Sequence, residues 1–528
     1  MQLDEQVNRE HADTPAPAPP RARAGWKWLV GVAGVGLVLW LTFYNLTGFP
    51  VTWFDEGSHL HVPKTLLRFG VYADYSSEGF RYYGPTIGVG PTVMLPIAAV
   101  FKVAGIGLLQ ARLVMALYLL ATIAVFFWLA KGLLGTRFAW VATALLVSSR
   151  GVALVEYGRQ VLGEVPGFFF VLAALLIWFL TWGKAKWWQL GAVGLLFGLA
   201  MVTKNQYLLV LGPALVASWL LNLIYYRAAP QRTFLVPGIV AALCFAVWQA
   251  YMLFYLGPAT ASENLALLRE ASAGAAFVFS PQLIRSGLEQ LLDLNVYLGW
   301  LFPVLLYGFF LVLPRQRDAQ RWSILYVIIV VNLAWYVVAS IGWLRYAFLG
   351  LALSSLFFAR FFYDLTDGLN FSVQSMRRAI RQGQPPLPLD ALRWVLIVLL
   401  SIMIVLPLAQ TARDIASPAF NAPAAMAAYM DANVAPDALV ETWEPEMGFL
   451  TDHNYHYPPQ ALLNNAVQYI WLGKTAPATL YDFVQTQQPP YVMVGAFGRW
   501  VGMYPPETLA GYELVSSIGT YDLYRLKE

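Results

Sequence analysis

The sequence predicts a polytopic α-helical membrane protein of about eleven spans, followed by a small soluble α/β domain. Of its 528 residues, 59% are hydrophobic and only 12% are charged, about half the charged share of a soluble domain. Apolar runs of the roughly 18–25 residues needed to cross a bilayer as a helix recur as far as residue 411. Beyond that point the composition turns to that of a soluble fold. A soluble protein with buried helices would need polar faces that these runs do not offer.

Charge and cysteine content narrow the class further. A net charge of +4 is small for this length and gives no reason to expect a nucleic-acid partner. The single cysteine, Cys244, lies in an apolar run, which leaves no disulfide framework, no cysteine metal site and no clue to compartment.

Residues 1–25 read as a disordered, polar cytoplasmic tail, Pro-rich from Thr14 to Pro20, with Arg21, Arg23 and Lys27 at the first apolar run. That run begins only at Trp26 and continues to about Leu46, so it reads as a retained helix and not as a cleaved signal. Further apolar runs lie near 85–104, 108–130, 138–155, 166–182, 187–203, 206–225, 233–256, 292–313, 322–341, 344–363 and 393–411. Basic clusters punctuate them at Lys131/Arg137, Lys184/Lys186, Arg227/Arg232, Arg315/Arg317/Arg321 and Arg377/Arg378/Arg381/Arg393. Short cytoplasmic loops are rich in Lys and Arg, and from Lys131 onward neighbouring clusters are separated by a pair of spans, so they share a side.

Between Lys27 and Lys131 lie the runs 26–46, 85–104 and 108–130. If all crossed, the N-terminus would face away from every other basic cluster. The run 85–104 contains Pro85, Pro91, Pro96, Gly88 and Gly90, which break a straight helix. It is expected to lie on the outer membrane face. About eleven spans then remain, with the N-terminus cytoplasmic and the C-terminal domain external to the cell (plasma) membrane. The 47–107 loop, the 156–165 loop, the Lys204 turn, the 257–290 loop and the domain 412–528 share one external face. Within that domain, helices are expected at 424–434, 459–472 and 478–487, with strands at 438–442 and 491–494. A hairpin at 512–517 and 520–525, with Gly519 in the turn, closes one small α/β layer. The stretch Glu441-Thr442-Trp443-Glu444-Pro445-Glu446 reads as a ligand-facing loop or as an ordinary strand end.

Candidate chemistry gathers on the external face. The first loop opens with Trp53-Phe54-Asp55-Glu56-Gly57-Ser58-His59-Leu60-His61. An acidic pair beside a span is costly near lipid unless solvated, paired or used. In the second external loop, Arg159 and Glu164 bring a cation and a carboxylate to the same surface, although Glu164 also suits the dipole of the helix it opens. Lys204 and Arg345 interrupt apolar stretches at external turns, and Arg150 lies near the outer end of a span. Such cations either snorkel to headgroups or line a cavity and hold a phosphate. His59 and His61, near Asp55 and Glu56, have the ligand types for a metal, but no second ligand cluster accompanies them. Asn45-Leu46-Thr47 matches a glycosylation triplet but adjoins the membrane.

The order of these features resembles the GT-C glycosyltransferases, the group of the protein O-mannosyltransferases and the lipid A aminoarabinose transferases. The resemblance rests on Asp55-Glu56 after a first span, the Pro-bearing surface helix, Gln110-Ala111-Arg112-Leu113, the Arg159–Glu164 motif, Val202-Thr203-Lys204 and Arg345-Tyr346. It covers roughly residues 26–411; the tail is similar to those appended to some bacterial members. The chain departs from the family pattern in placing Glu164 five residues after Arg159, and in opening its surface helix with Gly84-Pro85-Thr86.

The resemblance implies transfer of a sugar from a polyprenyl-phosphate carrier to a glycan, lipid or protein acceptor on the external face, with inversion. Asp55 is then the base, while Lys204, Arg345 and Arg159 bind the lipid phosphate. Glu56 and Glu164 position the acceptor or hold a divalent ion, and His59, Tyr82 and Tyr83 contact acceptor or donor. The alternative is a transporter or flippase of a lipid-linked or anionic substrate, but no internal repeat supports it. A non-catalytic envelope assembly protein is a third reading.

Overall fold

The computed structural model describes residues 24–82, 89–369 and 388–528. The tail before residue 24, Tyr83, the Gly84-Pro85-Thr86 segment and the basic residues Arg377, Arg378 and Arg381 lie outside the described residues. Two compact units divide the chain, one ending at Leu41 and one from Thr42 to Glu528. The first holds most of α1 (Ala24–Phe43), a helix that is apolar from Trp28 onward and carries Lys27 in its first turn.

In the second unit the first loop contains α2 (Phe54–Phe69), a hairpin of β1 (Asp74–Ser76) and β2 (Gly79–Arg81), and α3 (Pro91–Ala104). There follow α4 (Leu108–Leu134), α5 (Thr136–Ser148), the short α6 (Leu154–Tyr157), α7 (Glu164–Leu180), α8 (Trp187–Thr203) and α9 (Asn205–Leu221). Next come α10 (Arg232–Ala276), α11 (Pro281–Leu291), α12 (Leu301–Val312), α13 (Arg317–Ala339), α14 (Phe348–Leu365) and α15 (Pro388–Ala416). Among the described residues, 6 helices are long and apolar enough to cross a membrane: 108–134, 205–226, 232–266, 317–339, 344–365 and 391–416. Shorter apolar helices occupy 31–43, 91–104, 136–148, 164–180, 187–203 and 301–312.

Two sequence expectations change. The run 292–313 is an α-helix only from Leu301, because Tyr297, Leu298 and Gly299 adopt φ of 51°, 54° and 75° and break the helical path. The expected loop 257–290 is mostly helix: α10 continues to Ala276 through a kink at Gly257, where φ is 76°, and α11 follows. Gly257 supplies the positive φ, and Pro258 tolerates the break because its missing N–H needs no partner there.

Within the run 85–104, residues 85–88 lie outside the described residues, and the described residues form α3 from Pro91 to Ala104. Pro91 occupies its first turn, where no backbone donor is needed. Before it, Val89 forms an antiparallel bridge with Lys204, and Gly90 N donates to Thr203 O at 2.9 Å. A Cβ on Gly90 would lie 1.8 Å from the Val202 carbonyl oxygen, so only glycine permits this approach. The loop thereby fixes the turn that carries Lys204.

The tail folds as α16 (Ala422–Asn433), β3 (Leu439–Thr442), α17 (Pro445–Leu450), β4 (Asn454–His456), α18 (Leu462–Leu472), α19 (Phe483–Gln487), β5 (Tyr491–Val494), α20 (Ala496–Trp500), β6 (Tyr512–Ile518) and β7 (Tyr521–Leu526). Its sheet has the order β4-β3-β5-β7-β6, with β3 parallel to β4 and β5, and the β6–β7 hairpin antiparallel. Alternate residues serve opposite faces. Val440, Met493 and Leu523 pack with Met426 and Met430 of α16, whereas Val492 and Val494 pack with Leu462, Ala466 and Val484.

The tail is continuous with the loop that precedes it. Gly57 of α2 lies against α17 so closely that a Cβ there would be 2.3 Å from Glu446 N. Lys64 of α2 donates to the carbonyls of Gly448, Phe449 and Thr451 at 2.7, 3.3 and 3.1 Å, closing the C-terminal end of α17. Arg68 pairs with Asp452 at 2.7 Å, and Ser77 N donates to Tyr455 O at 2.7 Å.

The acidic stretch at 441–446 is a strand end, with β3 stopping at Thr442 and a short loop leading into α17, and its acids face inward. Glu441, Glu444 and Glu446 are all buried. Glu441 accepts from Tyr481 and Tyr504 hydroxyls at 2.7 Å each and lies 2.5 Å from His456 Nδ1. Glu446 accepts from the Tyr521 hydroxyl at 2.5 Å.

Candidate active site

Asp55 and Glu56 open α2, where carboxylates suit the positive end of the helix dipole. Successive residues of a helix point about 100° apart, and here that rotation sends the two acids to different places. Glu56 turns inward and is fully buried. Arg112 of α4 grips it with two bonds, Nε to Oε1 at 2.9 Å and Nη2 to Oε2 at 2.5 Å, and Val161 N donates to Oε1 at 3.1 Å. Arg112 also donates to Leu46 O and Thr52 Oγ1. Glu56 is therefore a brace between the first loop, α4 and the second loop, and is not placed to position an acceptor.

Asp55 instead pairs with Arg345 Nη2. Arg345 lies on a single 3₁₀ turn, Leu344–Ala347, between α13 and α14. Its guanidinium sits 3.8 Å from the Trp343 ring centroid, with Trp53 at 5.4 Å and Tyr346 at 5.9 Å. Planar cations stack well on such rings. Arg345 Nε lies 3.8 Å from Glu164 Oε1, and the same carboxylate pairs with Lys204 Nζ. Tyr207, one turn into α9, donates to Glu164 O at 2.5 Å, its ring seated where Gly167 offers no side chain. Asp55, Arg345, Glu164 and Lys204 thus form one chain of alternating charge drawn from four parts of the sequence.

The cluster is incompletely satisfied. Arg345 Nε, Arg345 Nη1 and Glu164 Oε2 are buried without a hydrogen-bond partner. Such atoms are rare in folded proteins and mark a place where a ligand or water completes the bonding. Arg345 also stands between two openings. One, a narrow cleft of about 20 Å³, is lined by Glu164, Lys204, Gln206, Tyr207 and Asn332 together with apolar Val210, Phe348 and Leu349. The other, of about 490 Å³, is lined by Trp53, Glu156, Tyr157, Gln160, Trp343 and Asp414.

Several expected site residues fall elsewhere. Arg159 spends its guanidinium on backbone: Nε donates to Phe49 O at 2.9 Å, Nη2 to Tyr44 O at 2.7 Å and Asn45 O at 2.9 Å, and Nη1 to Thr42 O at 3.3 Å. It secures the turn after the first span and is not available to a lipid phosphate. His59 is buried with Nδ1 2.7 Å from Val161 O; burial lowers its pKa, so the imidazole stays neutral and donates to that carbonyl. His61 joins Asp74 at 2.6 Å and Pro445 O at 2.7 Å. Tyr82 contributes a carbonyl to Asn264 Nδ2 at 3.1 Å and packs near Phe80, while Tyr83 lies outside the described residues. Arg150 forms an ion pair with Asp414 at 2.7 Å. Among the described residues, no group of three His, Cys, Asp or Glu side chains is arranged to hold a metal ion.

Sequence reasoning did not single out Trp343, Tyr207 or Gln206 as parts of this site. Trp343 stands two residues before Arg345, and Gln206 and Tyr207 follow Lys204 closely. Proximity to a lone cation in an apolar stretch was the available signal.

Comparison with known proteins bears on the fold. The model of the dolichyl-phosphate-mannose-protein mannosyltransferase family matches residues 89–251, which include Arg112, Arg159, Glu164 and Lys204. No curated protein matches by sequence comparison. Among solved structures, ArnT of Cupriavidus metallidurans in the apo state is similar with a TM-score of 0.64 and 16% identity, over 95% of this chain and 98% of that one. The same protein bound to undecaprenyl phosphate gives 0.60 and 15%, with the same coverage of 95% and 98%. The archaeal oligosaccharyltransferase AglB from Archaeoglobus fulgidus, in complex with an inhibitory peptide and a dolichol-phosphate, gives 0.58 and 14%, over 96% of this chain and 75% of that one. The chain therefore carries the GT-C fold of the membrane glycosyltransferases.

Proposed function

We propose that this protein transfers a sugar from a polyprenyl-phosphate carrier to an acceptor on the external face of the cell membrane. In this reading about eleven spans cross the bilayer, with the N-terminus cytoplasmic and the tail domain 412–528 external. The observation that carries the proposal is the Asp55–Arg345–Glu164–Lys204 chain, with unpaired Arg345 and Glu164 atoms beside a part-apolar opening. ArnT bound to undecaprenyl phosphate and AglB bound to a dolichol-phosphate support the class of donor.

Asp55 is the base. It accepts the proton of the acceptor hydroxyl as the oxygen attacks the anomeric carbon from the face opposite the phosphate. The bond between that carbon and the phosphate oxygen breaks, the new bond forms with inversion, and the polyprenyl phosphate leaves with the electron pair. Arg345 and Lys204 stabilise the growing negative charge on the phosphate, a task that fixed cations in a dry site perform well. Glu164 holds Lys204 in place and orients Arg345. When Arg345 turns part of its fork to the phosphate, its hold on Asp55 weakens and that carboxylate is freed to meet the acceptor hydroxyl. Donor binding and base activation are thus linked through one guanidinium. Val210, Phe348 and Leu349 beside the cations suit the apolar chain of the carrier.

The test is transfer of radiolabelled sugar from polyprenyl-phosphate donors in proteoliposomes, wild type against Asp55→Asn. Transfer by wild type that disappears in a folded variant is the expected result. Transfer that persists in the variant rejects Asp55 as the base, and absence of transfer by wild type from any donor rejects the enzyme.

A further inference from the structure

The opening beside Arg345 contains two side-chain amides with different duties. Both amide atoms of Asn332 have a backbone partner, its Nδ2 donating to Tyr346 O at 2.9 Å and its Oδ1 accepting from Gly350 N at 2.7 Å. It ties α13 to α14. Gln206, on the first turn of α9 and two residues after Lys204, lines the same opening. Its Oε1 is buried without a hydrogen-bond partner. A packed structure does not leave such an oxygen idle without a reason.

Four orphaned buried atoms therefore belong to residues lining one opening: Gln206 Oε1, Glu164 Oε2, Arg345 Nε and Arg345 Nη1. Their chemistry is mixed. The guanidinium atoms donate and suit phosphate oxygens. The carboxylate and amide oxygens accept and need O–H or N–H donors. A bare lipid phosphate satisfies the arginine but brings no donor to Glu164 or Gln206. A hydroxylated sugar joined to that phosphate brings both.

We infer that Gln206 reads the donor sugar: its amide, with Glu164 Oε2, binds sugar hydroxyls next to the lipid phosphate, so the site prefers the glycosylated carrier to the bare one. The inference rests on the transferase reading above and goes beyond it by assigning sugar recognition to a residue outside the acid–base and phosphate-binding set. It carries a kinetic consequence. Once the sugar has moved to the acceptor, the bare carrier loses its bonds to Gln206 and Glu164 and departs more easily than the donor that entered.

Binding of defined lipids to the full chain in nanodiscs tests this without requiring the acceptor. The probes are undecaprenyl phosphate, undecaprenyl-phosphate mannose and undecaprenyl-phosphate glucose, titrated against wild type, Gln206→Leu and Gln206→Met. Wild type is expected to bind at least one glycosylated lipid about tenfold more tightly than the bare lipid, the scale of one or two net hydrogen bonds. In the variants that preference falls about fivefold, while affinity for undecaprenyl phosphate is unchanged, which also certifies the fold. Full preference retained in a variant that still binds the bare lipid overturns the inference. Equal wild-type affinity for all three lipids overturns it as well. A wild-type protein that binds none of them removes the transferase reading instead.

Discussion

Around Glu56 every oxygen and every guanidinium nitrogen has a partner, whereas around Asp55, one residue earlier, buried atoms of Arg345 and Glu164 have none. Both regions are buried, both pair an arginine with a carboxylate, and both join the first loop to the membrane helices. Their difference lies in saturation. The Glu56–Arg112 region spends its bonding capacity on Leu46, Thr52 and Val161 and so fixes shape. The Asp55–Arg345 region keeps capacity in reserve beside two openings, and reserve at a cost is what a binding site requires. Burial and charge alone do not separate a brace from a site.

Several substitutions break or sharpen this contrast. Asp55→Asn removes the base, and transfer is expected to fall about 10³-fold, within the usual range for a general base, with the unfolding midpoint in detergent nearly unchanged. Arg112→Met does the reverse. It leaves Glu56 charged and unpaired in the interior, which costs about 3–5 kcal/mol of stability. The unfolding midpoint and yield should drop, while the molecules that do fold retain donor affinity. Adding Glu56→Gln to Arg112→Met should recover much of that loss, because the stranded charge is gone. If Arg112→Met instead abolished donor binding in folded protein, the brace assignment would be wrong.

Arg345→Lys comes next. Lysine keeps the charge but loses the planar fork that reaches Asp55 on one side and a phosphate on the other. Transfer should fall about 10²-fold, comparable with losing one fixed donor to a developing anion. Rates within a few-fold of wild type would show that charge alone suffices.

The smallest effect concerns pH and the tail. Burial, then the nearby Glu446 charge, push the Glu444 carboxyl well above a glutamate's ordinary 4.5. A group raised in the folded state contributes stability that is present below its unfolded pKa and lost as pH rises through the folded value. The wild-type tail should therefore weaken as pH climbs above about 4.5. Glu444→Gln should flatten that slope by roughly 1 kcal/mol across the neutral range while keeping an acceptor for Gly498 N, now 2.7 Å away. Unfolding midpoints measured from pH 5 to 9 provide the check, and parallel slopes for the two proteins would contradict it.

Legibility followed the kind of signal available. Apolar runs announced the membrane helices because a span must satisfy its own backbone and face lipid, and both demands are local. The breaks at Tyr297–Gly299 and Gly257 escaped, since a non-glycine residue with positive φ leaves no mark on hydropathy and one glycine in an apolar run is commonplace. In the tail the longer elements were readable. The short segments α17, β4 and α20, of 6, 3 and 5 residues, were not, because periodicity needs more turns than they contain.

By itself, then, the sequence determined that this is a membrane protein whose tail folds as helices and strands, and that Asp55, Glu164, Lys204 and Arg345 are costly charges requiring an explanation. Hydropathy and the rarity of charge near lipid act residue by residue, so order along the chain suffices to reveal them. Only the tertiary structure decided which charge meets which. It separated Asp55 from Glu56 by one helical step, gave Arg159 to a row of carbonyls, and buried Glu441 and Glu446 against tyrosine hydroxyls and, for Glu441, a histidine. It also left Gln206 Oε1 without a hydrogen-bond partner where both amide atoms of Asn332 have one. Those outcomes depend on partners tens to hundreds of residues away, and the satisfaction of a buried hydrogen bond is a property of the pair, not of either residue.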